Sequence, residues 1–109
     1  MTDSKELTPA QKMMGDIAPK LVQLNDDILF GDVWERKEIS PRERSLITVS
    51  SLITGGNMEQ LSFHLNKAKE NGLSEEELVE VITHLAFYAG WPKAMSAIMV
   101  AKKLFLEEK

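Results

Sequence analysis

Residues 39–65, ISPRERSLITVSSLITGGNMEQLSFHL, read as two antiparallel helices, and the rest of the chain reads as packing and closure around that hairpin. Ser40 suits an N-cap, Pro41 suits the first helical position, where a missing N–H costs nothing, and Glu43 completes an S-x-x-E capping box. Leu46, Val49 and Ile53 recur at i, i+3 and i+7, with Ile47 and Leu52 beside them, which makes an apolar face for a core. Arg44, Thr48 and Ser51 form a second, polar stripe. Gly55-Gly56 supplies left-handed conformations to end the first helix, and Asn57 with Gln60 is a weaker cap for the next.

Reversal at Gly55-Gly56 sets Asn57 level with Thr54 and His64 level with Ile47, about one turn from Arg44 at a rise of ~1.5 Å per residue. Arg44 and His64 are then able to face one cavity. Asn57, Gln60 and His64 share one side of the second helix, while Met58, Leu61, Leu65 and Ala68 make an adjacent apolar side. Glu59 lies well round the helix from His64, so a contact between them needs another helix or another subunit.

A chain of 109 residues supports one domain whose core buries a moderate fraction of the surface, so oligomerisation would help it. Hydrophobic residues at 43%, charged residues at 28% and a net charge of −4 fit a globular protein and supply no polycation for nucleic acid or anionic lipid. Neither nucleic acid nor membrane is therefore an expected partner. The absence of cysteine excludes disulfides, thiolate nucleophiles, Cys-ligated zinc and iron–sulfur clusters. With no signal peptide or long apolar run, the expected location is cytoplasmic.

Residues 1–7 read as a mobile polar tail, and residues 8–109 as a single helical domain. Thr8-Pro9 opens a first helical piece, and Gly15 and Pro19 separate it from a second through Leu21, Leu24, Ile28 and Leu29. Phe30 to Trp34 mark a short turn. Trp34 is expected as core or interface filler, with a pocket wall as the alternative. After the hairpin, Asn71-Gly72 ends one helix, and Ser74 to Glu77 start another with a capping box and acidic residues at its positive end. Leu78, Val81, Ile82, Leu85 and Ala89 give that helix its buried stripe, and Glu80, His84 and Tyr88 make another at i and i+4 spacing. Gly90-Trp91-Pro92 stops it and starts a last helix in which Ala94, Ala97, Ile98, Ala101, Leu104 and Phe105 mix small and large apolar residues. No strand-like alternation appears, so the fold class is all-α, with about six helices. Phe63, Phe87 and Trp91 fall outside the main stripes, which points to partner subunits as their cover.

No P-loop, G-x-G-x-x-G, H-E-x-x-H, EF-hand loop or G-x-S-x-G is present. The polar candidates that remain are His64, His84, Arg44, Glu43, Glu59 and Tyr88. His64 reads equally well as a satisfied core or interface histidine and as a catalytic one. His84 reads as a helix residue beside Glu80, and Arg44 as an ion-pair residue. From the residues alone, the chain reads as a small all-α oligomer in which Arg44 and His64 are able to share a pocket.

The run from Gly31 to Ala94 resembles the carboxymuconolactone decarboxylase family, within the wider AhpD-like group. The likeness rests on Gly-Asp-x-Trp at Gly31 to Trp34, Pro41-Arg42-x-Arg44-Ser45-Leu46, Leu61-x-x-His64-Leu65, Asn71-Gly72 and Tyr88-x-Gly90-x-Pro92. The redox branch of that group carries C-x-x-C just before the histidine. Asn57 and Gln60 stand at those positions here, so disulfide-based peroxide reduction is chemically unavailable. The resemblance implies a cofactor-independent decarboxylase of a small carboxylated unsaturated lactone in aromatic-acid catabolism, with no metal and a small anionic substrate. In that reading Arg44 clamps a carboxylate and His64 donates the proton, with Glu59 or Glu43 orienting it. Ser51, Thr48, His84 and Tyr88 contribute to substrate binding. It also implies a homo-oligomer, commonly a trimer or hexamer. The competing expectation is a non-catalytic or accessory family member in which Arg44 and His64 only knit an oligomer together.

Overall fold

The computed structural model describes residues 6–107, which are helical with short turns and form two compact units, one up to Ile39 and one from Ser40. Of the tail expected over residues 1–7, all but Glu6 and Leu7 lies outside the described residues.

In the first unit, α1 (Pro9–Met14) begins at a Thr8/Gln11 capping box, and α2 (Pro19–Gln23) runs on as a π-helical segment over Leu24–Phe30. Thr8 Oγ1 donates to Asp26 Oδ2 at 2.7 Å, so one threonine caps α1 through its oxygen and ties it to the π-helical segment through its proton. A 3₁₀ turn over Val33–Glu35 follows, and Trp34 stacks on Phe30 at 5.8 Å between ring centroids. Ala10 and Val22 are buried.

The second unit holds α3 (Pro41–Gly55), α4 (Met58–Glu70), α5 (Glu75–Leu85) and α6 (Trp91–Lys102), which ends in a π-helical turn over Lys103–Glu107. Ser40 and Ser74 each close the reciprocal cap that their sequence pattern predicts, with Glu43 and Glu77 as partners. Val49 and Ile53 of α3, Leu61, Leu65 and Ala68 of α4, Leu78 and Ile82 of α5, and Ala94, Ala97 and Ala101 of α6 make the core, with Leu73 and Phe105. The alanines leave α6 thin enough on that side to lie close against its neighbours.

Three local expectations are corrected. The fully buried face of α3 runs Ser45, Val49, Ile53, with Leu46 only packed against the core, because the Ser45 hydroxyl has a partner in Asn71. Gly55 is the last helical residue, and Gly56 alone takes the left-handed backbone, at φ 74°. Asn57 and Gly56 donate back to Leu52 O and Ile53 O, the paired bonds of a Schellman stop. Asn57 makes no side-chain cap to α4.

Candidate active site

Two contacts set the register of the α3–α4 hairpin. Asn71 Nδ2 donates to Ser45 Oγ at 3.0 Å, and a β-carbon at Gly72 would sit 3.8 Å from Arg42 Cδ. Counting along ideal helices from those contacts, Arg44 lies level with the end of α4, Thr48 with Lys67 and Ser51 with His64. Val49, Ile53, Leu61 and Leu65 are all buried in the one core cluster. His64 is thus level with Ser51 and not with Ile47. The chain reverses at Gly56 and Asn57, later than a turn centred on Gly55-Gly56, which moves every α3 partner of an α4 residue toward the turn. Arg44 and His64 accordingly stand about 10 Å apart along the hairpin, at ~1.5 Å per residue.

Arg44 and His64 are both half-buried, and Arg44 Nε and His64 Nδ1 are shut off from solvent. Burial holds the His64 imidazole below its usual 6.5, and the Lys67 ammonium adds to the effect, so the neutral ring is favoured. Phe63 meets the imidazole edge-on at 5.0 Å between centroids. Thr48 is half-buried and Ser51 exposed, and Thr48 Oγ1 donates to the Arg44 carbonyl at 2.8 Å. Glu59 is exposed in the first turn of α4. Glu43 Oε1 accepts the Ser40 N–H at 2.8 Å, which commits that carboxylate to the cap of α3. His84, in the last turn of α5, and Tyr88, past its end, stack at 5.0 Å between ring centroids, and both are exposed.

A groove of about 540 Å3 lies between α5 and the end of α6, lined by Val79, Ile98, Ala101, Phe105 and Leu106, with Glu75, Glu76 and Lys102. None of the expected site residues lines it. Among the described residues no three His, Asp or Glu side chains gather as a metal site.

One residue that sequence reasoning passed over belongs on the hairpin strip. The stripe Asn57, Gln60, His64 continues by single turns to Lys67 and Asn71, so the helical period that picked out the histidine also contains the lysine beside it.

The α3–α4 hairpin in a chain without cysteine defines the class as an all-α, thiol-free helical domain. Residues 19–103 match the model of the carboxymuconolactone decarboxylase family, and the chain belongs to that family. It is similar to a 4-carboxymuconolactone decarboxylase of Acinetobacter baylyi, 36% identical over 76 residues covering 70% of this chain and 57% of the relative. It is also similar to a nitrosuccinic acid decarboxylase of Metarhizium robertsii, 34% identical over 74 residues covering 68% of this chain and 52% of the relative. The chain spans about half the length of these curated relatives. Among the described residues no helix is long and apolar enough to cross a membrane.

Proposed function

We propose that the chain is a cofactor-independent decarboxylase of a small carboxylate whose own skeleton accepts the electrons left by CO2, a 4-carboxymuconolactone-type lactone first among them. The observation that carries this reading is what the two relatives' substrates share. One is a carboxylated unsaturated lactone and the other a nitro diacid, and in each a carboxylate stands where a carbonyl or nitro group can take up its electron pair. Both molecules also carry a second carboxylate that the reaction keeps.

In this reading the C–C bond to the leaving carboxylate breaks, CO2 departs, and the electron pair moves into the lactone carbonyl or nitro group. Arg44 holds a substrate carboxylate through charge-assisted hydrogen bonds. Thr48, Ser51, His84 and Tyr88 are the remaining binding candidates, with hydroxyl or imidazole donors for the developing oxyanion. His64 then protonates the carbon. Burial favours the neutral ring, and an anion arriving beside it favours the imidazolium, so proton uptake accompanies the substrate. Glu59 of another subunit is the candidate to orient the ring.

A homo-oligomer, trimer or hexamer, belongs to the same proposal, and a cytoplasmic location with it. What supports assembly is the apolar surface of the single chain: Phe87 is 78%, Tyr88 77% and Trp91 61% exposed, and Met95 and Met99 stand out from α6. Mass in solution tests it, and a clean monomer at micromolar concentration would count against it.

The test of the activity is CO2 release from 4-carboxymuconolactone and from nitrosuccinate by the purified chain, with Arg44→Ala and His64→Ala alongside. Turnover by the wild type that collapses by at least about a hundredfold in either variant is the expected result. Full activity in both variants would remove the assigned roles.

A further inference from the structure

We propose that the apolar groove between α5 and the end of α6 is an interface with a second copy of this chain. Across a two-fold axis, the α6 edge of each copy, with Lys102 and Leu106, lies in the groove of the other. The contact uses none of the candidate site residues and stands independently of the decarboxylase reading.

The groove is built before anything enters it. Ala101 and Phe105 are buried at its base and Ile98 is half-buried, while Val79 on the α5 wall and Leu106 on the α6 wall are 39% and 70% exposed. Lys69 fixes one end. Its ammonium bonds Glu75 Oε2 at 2.5 Å and lies 5.1 Å from the centre of the Phe105 ring, so that wall needs no ordering on binding. A small apolar ligand would cover the base and leave Leu106 in water, whereas a protein surface covers both.

Charge selects the occupant. With Glu75 bonded to Lys69, each wall keeps one further charge, Glu76 on α5 and Lys102 on α6, and among the described residues neither is in an ion pair. A partner of one sign would satisfy one wall and be repelled by the other. A two-fold rotation about an axis along the rim of the groove sets α6 of one copy over α5 of the other. Lys102 then meets Glu76 of the other copy, and the same pairing occurs twice because the contact is isologous. Leu106 enters the facing groove against Ile98 and Phe105. A face that carries a ridge beside a groove, and both signs of charge, is complementary to itself.

Sedimentation equilibrium at micromolar concentrations tests this. The wild type should associate in pairs or multiples of pairs. Glu76→Lys and Lys102→Glu should each raise the dissociation constant by at least about tenfold, since either swap sets like charges opposite at both symmetric contacts. The double variant, in which the charges are again opposite, should recover the wild-type profile. Both charges also suit their helix ends, so circular dichroism checks that the variants stay folded. Leu106→Glu, at an exposed position near the chain end, should weaken the pairing without touching a helix cap. A wild type that is monomeric or has an odd number of subunits would overturn the proposal, as would single variants that assemble like the wild type or a double variant no better than either. Assembly lost in Trp91→Glu but untouched by the charge swaps would assign it to the aromatic face alone. A monomer whose binding of anilinonaphthalenesulfonate is removed by Leu106→Glu would give the groove to a small apolar ligand, and would also overturn the proposal.

Discussion

Ser45 and Asn71 are joined across the hairpin by a hydrogen bond of 3.0 Å, one a fully buried residue of α3 and the other the first residue past α4. The bond fixes where along α3 the C-terminal end of α4 sits. Every level relation on the strip from Arg44 to His64 follows from it.

Ser45→Ala should therefore cost about 1 kcal/mol, the net worth of a hydrogen bond whose loss leaves the partner amide under-satisfied. Asn71→Ala should cost a similar amount. In a double-mutant cycle by urea unfolding the two should couple by at least about 0.5 kcal/mol, and strict additivity would show that the bond carries no stability.

Gly56→Ala should destabilise the chain by about 1–2 kcal/mol, the cost of forcing an L-residue into the left-handed backbone. The observed φ is 74°, and a β-carbon would meet nothing nearer than Lys93 Cε at 3.8 Å, so the effect isolates backbone strain from crowding. Thermal unfolding reads it.

Acid should act through Glu77. The Ser74 backbone N–H that its carboxylate accepts, followed by the Arg42 guanidinium, holds it below the usual 4.5 in the folded chain. The folded state therefore binds this proton less readily than the unfolded one. The stabilisation is complete above the unfolded value and is lost as pH falls through the lower folded one. Glu77→Gln should flatten the stability curve below about pH 4.5, where unfolded glutamate titrates. Identical slopes for wild type and variant would refute the linkage.

His64 should act in the same direction at higher pH. Its folded titration lies below 6.5 because burial disfavours the imidazolium and Lys67 repels it. Unfolded His64 then takes up a proton first as pH drops. Stability is fully present above 6.5 and declines as pH falls through the folded value. His64→Gln should remove that slope, and NMR should find the midpoint of the wild-type ring below 6.5.

The all-α class, the helix starts and the family were legible in residues alone. A capping box is read from four consecutive positions, and its two hydrogen bonds close within one turn, so Ser40-to-Glu43 and Ser74-to-Glu77 need no tertiary information. The period of Leu61, Leu65 and Ala68 likewise marks the buried side of α4. Register between helices is another matter. It depends on which side chains meet across the seam, and nothing local to Ser45 signals that its hydroxyl bonds Asn71, 26 positions later. Ideal helices folded at Gly55-Gly56 placed His64 about one turn out for that reason. Lys67 falls on the histidine's stripe by the same period, but only the tertiary structure decided that it is half-buried. Caps and stripes are local and survive in any packing, whereas register and electrostatic neighbourhood are settled by contacts between distant parts of the chain.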